Sequence, residues 1–300
     1  MNKPKAVHQL TAAQFDKLFR DEAACAAYLV ARRWPEGIRC PRCGAEVGEL
    51  KGQAFRWQCY ACAPETSYRF SHLVGTVFEN TNKPLKDWFR VIHLMLTSKK
   101  GMSALQIFRY LGFGSYKTAW HMCHRIRSAL ADRDFEKLAG VVEVDETFVG
   151  GKAKNRHGGD RDGRPGPTAS GKTPVVGAVQ RKGNVIARVI ANVKRDTLEG
   201  FVREAVSHKV SLLCTDQWVG YHRLNREFPH ATVDHAHRQY VVGAVHTQTI
   251  EGFWSLIKRG MIGTFHKVSK KYLPLYVAEF QFRYNNRLNA DIFETAIKEC

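Results

Sequence analysis

The chain has 300 residues, 44% hydrophobic and 25% charged, the composition of an ordinary globular protein with room for a sizeable core. Its 46 Lys and Arg outnumber 28 Asp and Glu, and the net charge of +18 points to a polyanionic partner: nucleic acid first, an anionic membrane surface as the alternative. No apolar run approaches the roughly 20 residues a spanning helix needs, and the opening MNKPKAVHQLTAAQF lacks the apolar centre of a signal peptide, so a cytoplasmic chain without a membrane segment is expected.

In chain order, residues 8–33 read as helix, with Thr11 as cap and apolar Phe15, Leu18, Phe19, Ala26 and Leu29. Residues 35–70 read as short strands and turns around four of the eight cysteines. Those four stand as Cys40-x2-Cys43, fifteen residues, Cys59-x2-Cys62. Each C-x-x-C turn sets two thiolates on one side of a metal, and two turns close a tetrahedral structural zinc site. A zinc ribbon is expected, because about 35 residues cannot build a core alone; a redox pair is the competing reading. Arg39, Arg42, Lys51, Arg56 and Arg69, with Phe55, Trp57 and Tyr60, suit either a DNA-backbone surface or a ribbon packed on a helix.

Residues 82–96 read as a helix with Pro84 near its start. Residues 101–130 read as helix, Gly-rich turn, helix: Ser103 caps the first, LGFG breaks it, and Ser115 caps the second. Apolar Ala119, Met122, Cys123, Ile126 and Leu130 follow at helical spacing. The pattern fits a DNA-binding helix-turn-helix and an ordinary helical hairpin equally. Lys117 and Arg125 on the second helix are its candidate DNA contacts.

Composition shifts near residue 140. Strand-like runs appear in GVVEVDETFVGG, TPVVGAVQRKGNVIARVIAN and VSLLCTDQWVGY. A Gly-, Pro- and Lys/Arg-rich loop, 152–173, separates the first two and carries Lys152, Lys154 and Arg156, either for DNA or as a simple insertion. Residues 195–209 read as a helix, and a last helical stretch runs from about Thr249 to Arg287, broken near Gly260–Gly263 and Pro274. The segments are thus 1–34 helical, 35–72 ribbon, 82–131 helix-turn-helix and 139–300 an α/β domain.

Three carboxylates, Glu143, Asp145 and Glu146, stand inside an apolar β-branched run, where a buried charge is costly without a positive partner. Asp145 is read as ending the first strand, Asp216 as ending the VSLLCTD strand, and Glu251 as starting an amphipathic helix. Converging at one sheet rim, these hard oxygen ligands suit Mg²⁺ or Mn²⁺, and two such ions activate an attacking oxygen and stabilise the leaving one. Lys258 lies about two helical turns after Glu251, placed for a phosphate, and Arg259 beside it is a further DNA candidate. Strand alternation puts Glu143, Asp145 and Thr147 on one face. Glu143 is then a neighbour of Asp145, while Glu146 faces the other way, toward a basic side chain or a backbone amide. His246 reads equally as a metal-site histidine and as a hydrogen-bonded loop residue; for His235 and His237 the loop reading is preferred.

At these residues the chain resembles the DDE-type bacterial insertion-sequence transposases with an N-terminal zinc ribbon, the ISXO-type group. The resemblance runs from about Phe15 to the C-terminus through CPRCG, FRWQCYAC, SHLVGTVFENTNKPLKDWF, VEVDETFVGGK, HTQTIEGFWSLIKRG and EFQFRYNNR. It implies a ribonuclease H-like core and Mg²⁺-dependent strand cleavage and strand transfer. It also implies binding of double-stranded DNA, both the terminal inverted repeats and the target, by a homo-oligomer at the bacterial nucleoid. It carries the catalytic triad onto Asp145, Asp216 and Glu251, zinc onto Cys40, Cys43, Cys59 and Cys62, and the basic residue after the glutamate onto Lys258. One departure is Gln248, where the family pattern HTNTIE has Asn; this touches a polar role around the acids, not the acids themselves. Two other functions compete: a non-catalytic zinc-ribbon/helix-turn-helix regulator, and a ribonuclease H-like nuclease that never joins strands.

Overall fold

The computed structural model describes residues 6–62, 65–131, 135–150, 172–233 and 246–300. All but the last two residues of the basic loop, with Lys152, Lys154 and Arg156, lie outside the described residues, as do His235 and His237. The chain divides into two units, Met1–Leu130 with Asn289–Cys300, and Ala131–Leu288.

In the first unit, the helix expected over 8–33 is interrupted. A short 3-10 turn, Val7–Gln9, precedes α1 (Ala12–Leu18) and α2 (Glu22–Arg33). Thr11 and Gln14 form a capping box on α1, and Asp21 restarts the chain by accepting from Ala24 N at 2.8 Å. The ribbon is a three-stranded antiparallel sheet of β1 (Gly48–Glu49), β2 (Arg56–Cys59) and β3 (Tyr68–Ser71). Its apolar content is small, chiefly Trp57 and Phe70, against which Trp34 packs. Then come α3 (Leu85–Thr97), α4 (Ala104–Leu111) and α5 (Tyr116–Ala129). Ser103 and Ser115 cap α4 and α5 as expected, and Gly112 takes the left-handed conformation (φ 65°) that ends α4.

The second unit holds β4 (Leu138–Val149), β5 (Thr173–Gln180), β6 (Val185–Val189), α6 (Arg195–Ala205), β7 (Val206–Asp216), β8 (His230–Val233), α7 (Gln248–Gly260) and α8 (Leu273–Asn285). The sheet order is β6-β5-β4-β7-β8. The pairs β6–β5 and β5–β4 are antiparallel; β4–β7 and β7–β8 are parallel. One face packs Val142, Val144, Val176 and Ala178 against Leu198, Phe201 and Val202 of α6. The other packs Val175, Val179 and Val185 against Ile250, Phe253, Trp254 and Ile257 of α7 and Val277 and Phe280 of α8. Helices thus cover both faces, which is why β5 reads as a nearly continuous apolar run. The expected helix 195–209 stops at Ala205, because residues from Val206 onward pair with β4. A π-helical turn, Met261–Phe265, follows α7 at the expected break.

The last helix, α9 (Ile292–Glu299), belongs to the first unit, although its sequence continues the 139–300 segment. Phe293 is fully buried there among Phe15, Phe19, Tyr28 and Phe89, an aromatic cluster that draws the C-terminus to α1–α3.

Candidate functional site

The cysteine site is built by two turns. In the first, Gly44 N donates to Cys40 O at 2.9 Å, and Gly44 adopts φ 73°, so the chain folds back beneath the sulfurs. The four sulfurs lie within 4.8 Å of one another, with Cys40–Cys62 at 3.8 Å and Cys43–Cys59 at 3.5 Å. A tetrahedral zinc with Zn–S near 2.3 Å demands edges of about 3.8 Å, so the cluster fits the ion. Burial pushes the Cys40 thiol up, but the Arg42 and Cys43 amides together with the Cys43 and Cys59 thiols bring it down to about 7. Burial and the neighbouring thiols instead raise Cys62 to about 12, so the four sulfurs share their protons unequally, with the thiolate favoured at Cys40.

The acids converge by strand register. The β4–β7 ladder ends at Glu143 opposite Cys214, so two residues further on Asp145 comes beside Asp216, the last residue of β7. Asp145 does not end its strand as expected: β4 continues to Val149 through its pairing with β5, where Asp145 faces Gly177. Glu251 enters from the first turn of α7, its Oε1 accepting from Thr247 Oγ1 at 3.2 Å. Trp254, three residues on, donates from Nε1 to Asp145 Oδ2 at 3.0 Å. Among the described residues only the cysteine sulfurs draw three or more ligand atoms within 4.8 Å, so the acids are held near one another but less tightly. Burial pushes Asp145 up to about 6; Asp216 and Glu251 add to this, while the Glu146 amide and the Trp254 indole oppose it. A divalent cation at this spot would relieve that repulsion.

Glu143 and Glu146 take opposite faces, as strand alternation requires. Glu146 meets no basic side chain among the described residues: its Oε2 accepts from the buried phenol of Tyr221 at 2.7 Å, and its own backbone amide also interacts with the carboxylate. Burial, with Asp216 and Asp145 nearby, raises Glu146 to about 7 despite that bond. Glu143 is fully buried and reaches α7 rather than the other acids. It accepts from Thr249 N at 2.8 Å, Thr249 Oγ1 at 2.9 Å, Ile250 N at 3.1 Å and Arg181 Nε at 2.7 Å. His246 Nδ1 also lies 3.2 Å from Glu143 Oε1, close enough for an ion pair but not aligned for a hydrogen bond.

The remaining candidates divide. Gln248, Lys258 and Arg259 are exposed on α7, and Arg259 Nε donates to Ser255 O at 3.2 Å. Lys117 is exposed in the first turn of α5. Arg125 is engaged within the first unit: Nη2 donates to Glu79 O at 3.0 Å, and the guanidinium lies over the Trp88 ring. Sequence reasoning missed Arg181, Tyr221, Thr247, Trp254 and Gly177. Arg181, Tyr221, Trp254 and Gly177 act on partners brought close only by the sheet, so no local pattern marks them; Thr247 alone has a local partner, Glu251, four residues on.

No helix among the described residues is long and apolar enough to cross a membrane. Comparison with known proteins agrees with this architecture. Residues 137–285 match the model of the ISXO2-like transposase domain, and residues 20–65 match the transposase zinc-ribbon domain. A protein of the transposable element ISH50 from Halobacterium salinarum is 31% identical over 280 residues, which cover 89% of this chain and 92% of the relative. A four-sulfur zinc ribbon, a mixed sheet with the acids, and a transposon relative of nearly the same extent lead to one assignment. The chain belongs to the ISXO2-like transposase family.

Proposed function

We propose that this transposase cuts DNA at the ends of its element and joins the freed strand to target DNA, using Asp145, Asp216 and Glu251 in a ribonuclease H-like core to hold two Mg²⁺ or Mn²⁺ ions. The observation that supports it best is the register of β4 and β7, which sets Asp145 beside Asp216 with Glu251 near enough to raise its pKa. The mixed sheet, covered by helices on both faces, supports the core. When bound, the ions would supply an activated water or 3′-hydroxyl and neutralise the leaving oxygen. Trp254 fixes the rotation of Asp145 by holding one of its oxygens. Thr247 holds one oxygen of Glu251. Lys258, exposed on the same helix, is assigned to a phosphate. His246 lies against Glu143, so no proton shuttle is assigned to it.

The net charge of +18 supports a phosphate-backbone partner. We assign end recognition to the zinc ribbon and to α4–turn–α5 read as a helix-turn-helix, with Lys117 as a contact. Arg125 is left out because its guanidinium is engaged at Glu79 and Trp88. Bringing two ends together calls for a dimer or larger assembly, by analogy alone. In the decisive test, Asp145→Ala, Asp216→Ala and Glu251→Ala each reduce Mg²⁺-dependent cleavage of end DNA to background while leaving end binding within about twofold, since base and backbone contacts lie elsewhere. Wild-type strand transfer in the Asp145→Ala protein would overturn the assignment. Cleavage without any joined product would make the enzyme a nuclease only.

A further inference from the structure

Helix α7 carries Glu251 as its fourth residue, and its first turn has backbone N–H groups without intrahelical partners that need acceptors. The local cap position, Thr247, does not serve them: its hydroxyl points to Glu251 instead. The N–H groups of Thr249 and Ile250, those a cap normally satisfies, go to Glu143 Oε2 at 2.8 and 3.1 Å. Glu143 is 106 residues away from Thr249 in sequence, and it lies on β4 two positions before Asp145 on the same face.

Arg181 completes the arrangement. It follows β5, where its own N–H donates to Val141 O of β4 at 3.0 Å. Its Nε holds Glu143 Oε1 at 2.7 Å, and its Nη2 donates to His246 O at 3.0 Å, on the segment leading into α7. One ion pair, fully buried on its Glu143 side and partly exposed at Arg181, therefore ties β4, the β5 end and the start of α7 together. Trp254 makes the second attachment, one turn further along, at Asp145 itself. Glu251 lies between the two attachments.

We infer that the Glu143–Arg181 pair is a positioning device for the acidic site: it caps α7 from the sheet and so sets where Glu251 stands relative to Asp145 and Asp216. Neither residue is assigned a metal or DNA contact: their side chains are committed to each other and to the start of α7. The division of labour has a physical reason. A local cap would stabilise the helix but leave it free to slide on the sheet; a cap rooted in β4 stabilises the helix and fixes its register at once. The negative charge suits the positive end of the helix dipole, and Arg181 makes its burial tolerable.

This inference rests on the metal reading of the three acids, and the experiment separates the two. Mn²⁺ binding to the zinc-loaded full chain is followed by electron paramagnetic resonance for wild type, Glu143→Gln and Arg181→Lys, with end-DNA binding and hydrogen exchange of α7 measured in parallel. Both variants are expected to weaken Mn²⁺ binding by about tenfold or more, as loss of residues that orient ligands does, while binding end DNA normally. Glu143→Gln should also speed exchange at Thr249 and Ile250. If Glu143→Gln does not fold, Arg181→Lys decides, since it keeps the charge but cannot span Glu143 and His246 O together. Wild-type Mn²⁺ affinity in the folded variants overturns the positioning role. If the wild-type protein itself takes up no Mn²⁺, the metal reading falls instead; the clamp then stands or falls on whether those amides exchange faster.

Discussion

At the scale of single residues, the acids depend on neighbours of unremarkable type. Gly177 faces Asp145 across the β4–β5 ladder, and a Cβ there would lie 2.7 Å from Trp254 Cη2 and 2.9 Å from Cζ2. The absent side chain is what lets the rigid indole reach Asp145. Gly177→Ala should cost about 1–3 kcal/mol by overpacking and should lower cleavage further than stability, because Trp254 is displaced; urea unfolding beside cleavage assays reads both. Tyr221→Phe leaves Glu146 buried without its phenol and should cost about 1–3 kcal/mol in the same unfolding assay. The raised carboxyls also set a pH dependence. Asp145, at about 6, and Glu146, at about 7, hold their protons more tightly folded than unfolded. Their contribution to stability is therefore greatest in acid and is lost as pH rises through those values. The metal-free Asp145→Asn protein should lose that part of the pH dependence between about pH 4 and about 6, and Mg²⁺ should stabilise wild type more at pH 7.5 than at 5.5. The acids were nominated in sequence by residue type and spacing. Gly177, Trp254 and Tyr221 were not, since a glycine or an aromatic in an apolar run carries no mark of what it faces.

At the scale of elements, local signals read well and remote ones did not. Thr11, Ser103 and Ser115 cap their own helices, so α1, α4 and α5 begin where the sequence places them. Two helices are instead capped from a distance: α7 by Glu143, and α3 by Glu22, whose Oε1 accepts from Leu85 N at 2.6 Å where Pro84 offers no side-chain cap. The edge strand β6 shows the same dependence. Its outward N–H groups, at Val185 and Ala187, donate to Asn285 Oδ1 and Gln281 Oε1 of α8, each at 2.8 Å. Arg287 then donates to Gly183 O at 2.9 Å. The EFQFRYNNR stretch thus closes a sheet edge that would otherwise invite pairing with another chain. Asn285→Ala should cost about 1–2 kcal/mol, since a buried N–H loses its acceptor, and should speed hydrogen exchange at Val185. Unchanged exchange there would refute the edge-closing role.

At the scale of the whole molecule, the ribbon and the α/β unit draw on different sources of stability. The ribbon has little core beyond Trp57 and Phe70, and its sulfurs already stand at zinc spacing. Chelation of one zinc per chain, or Cys59→Ser, should therefore abolish amide protection across residues 40–71; the amides of β4 and β5 should keep theirs, because their packing needs no metal. Hydrogen exchange on intact chain checks both halves at once. The sequence alone determined the four-cysteine zinc spacing and the alternation of strands and helices, and it nominated the three acids proposed as metal ligands, because these rest on short spacings and on residue chemistry that does not depend on what lies opposite. Tertiary structure alone decided that Asp145 lies inside its strand, that Glu146 meets a phenol, that α9 joins the first unit, and that Glu143 caps α7. Each of these turns on contacts between residues tens to hundreds of positions apart, and such contacts exist only once the β4–β7 register and the packing of helices on the sheet have brought the partners together.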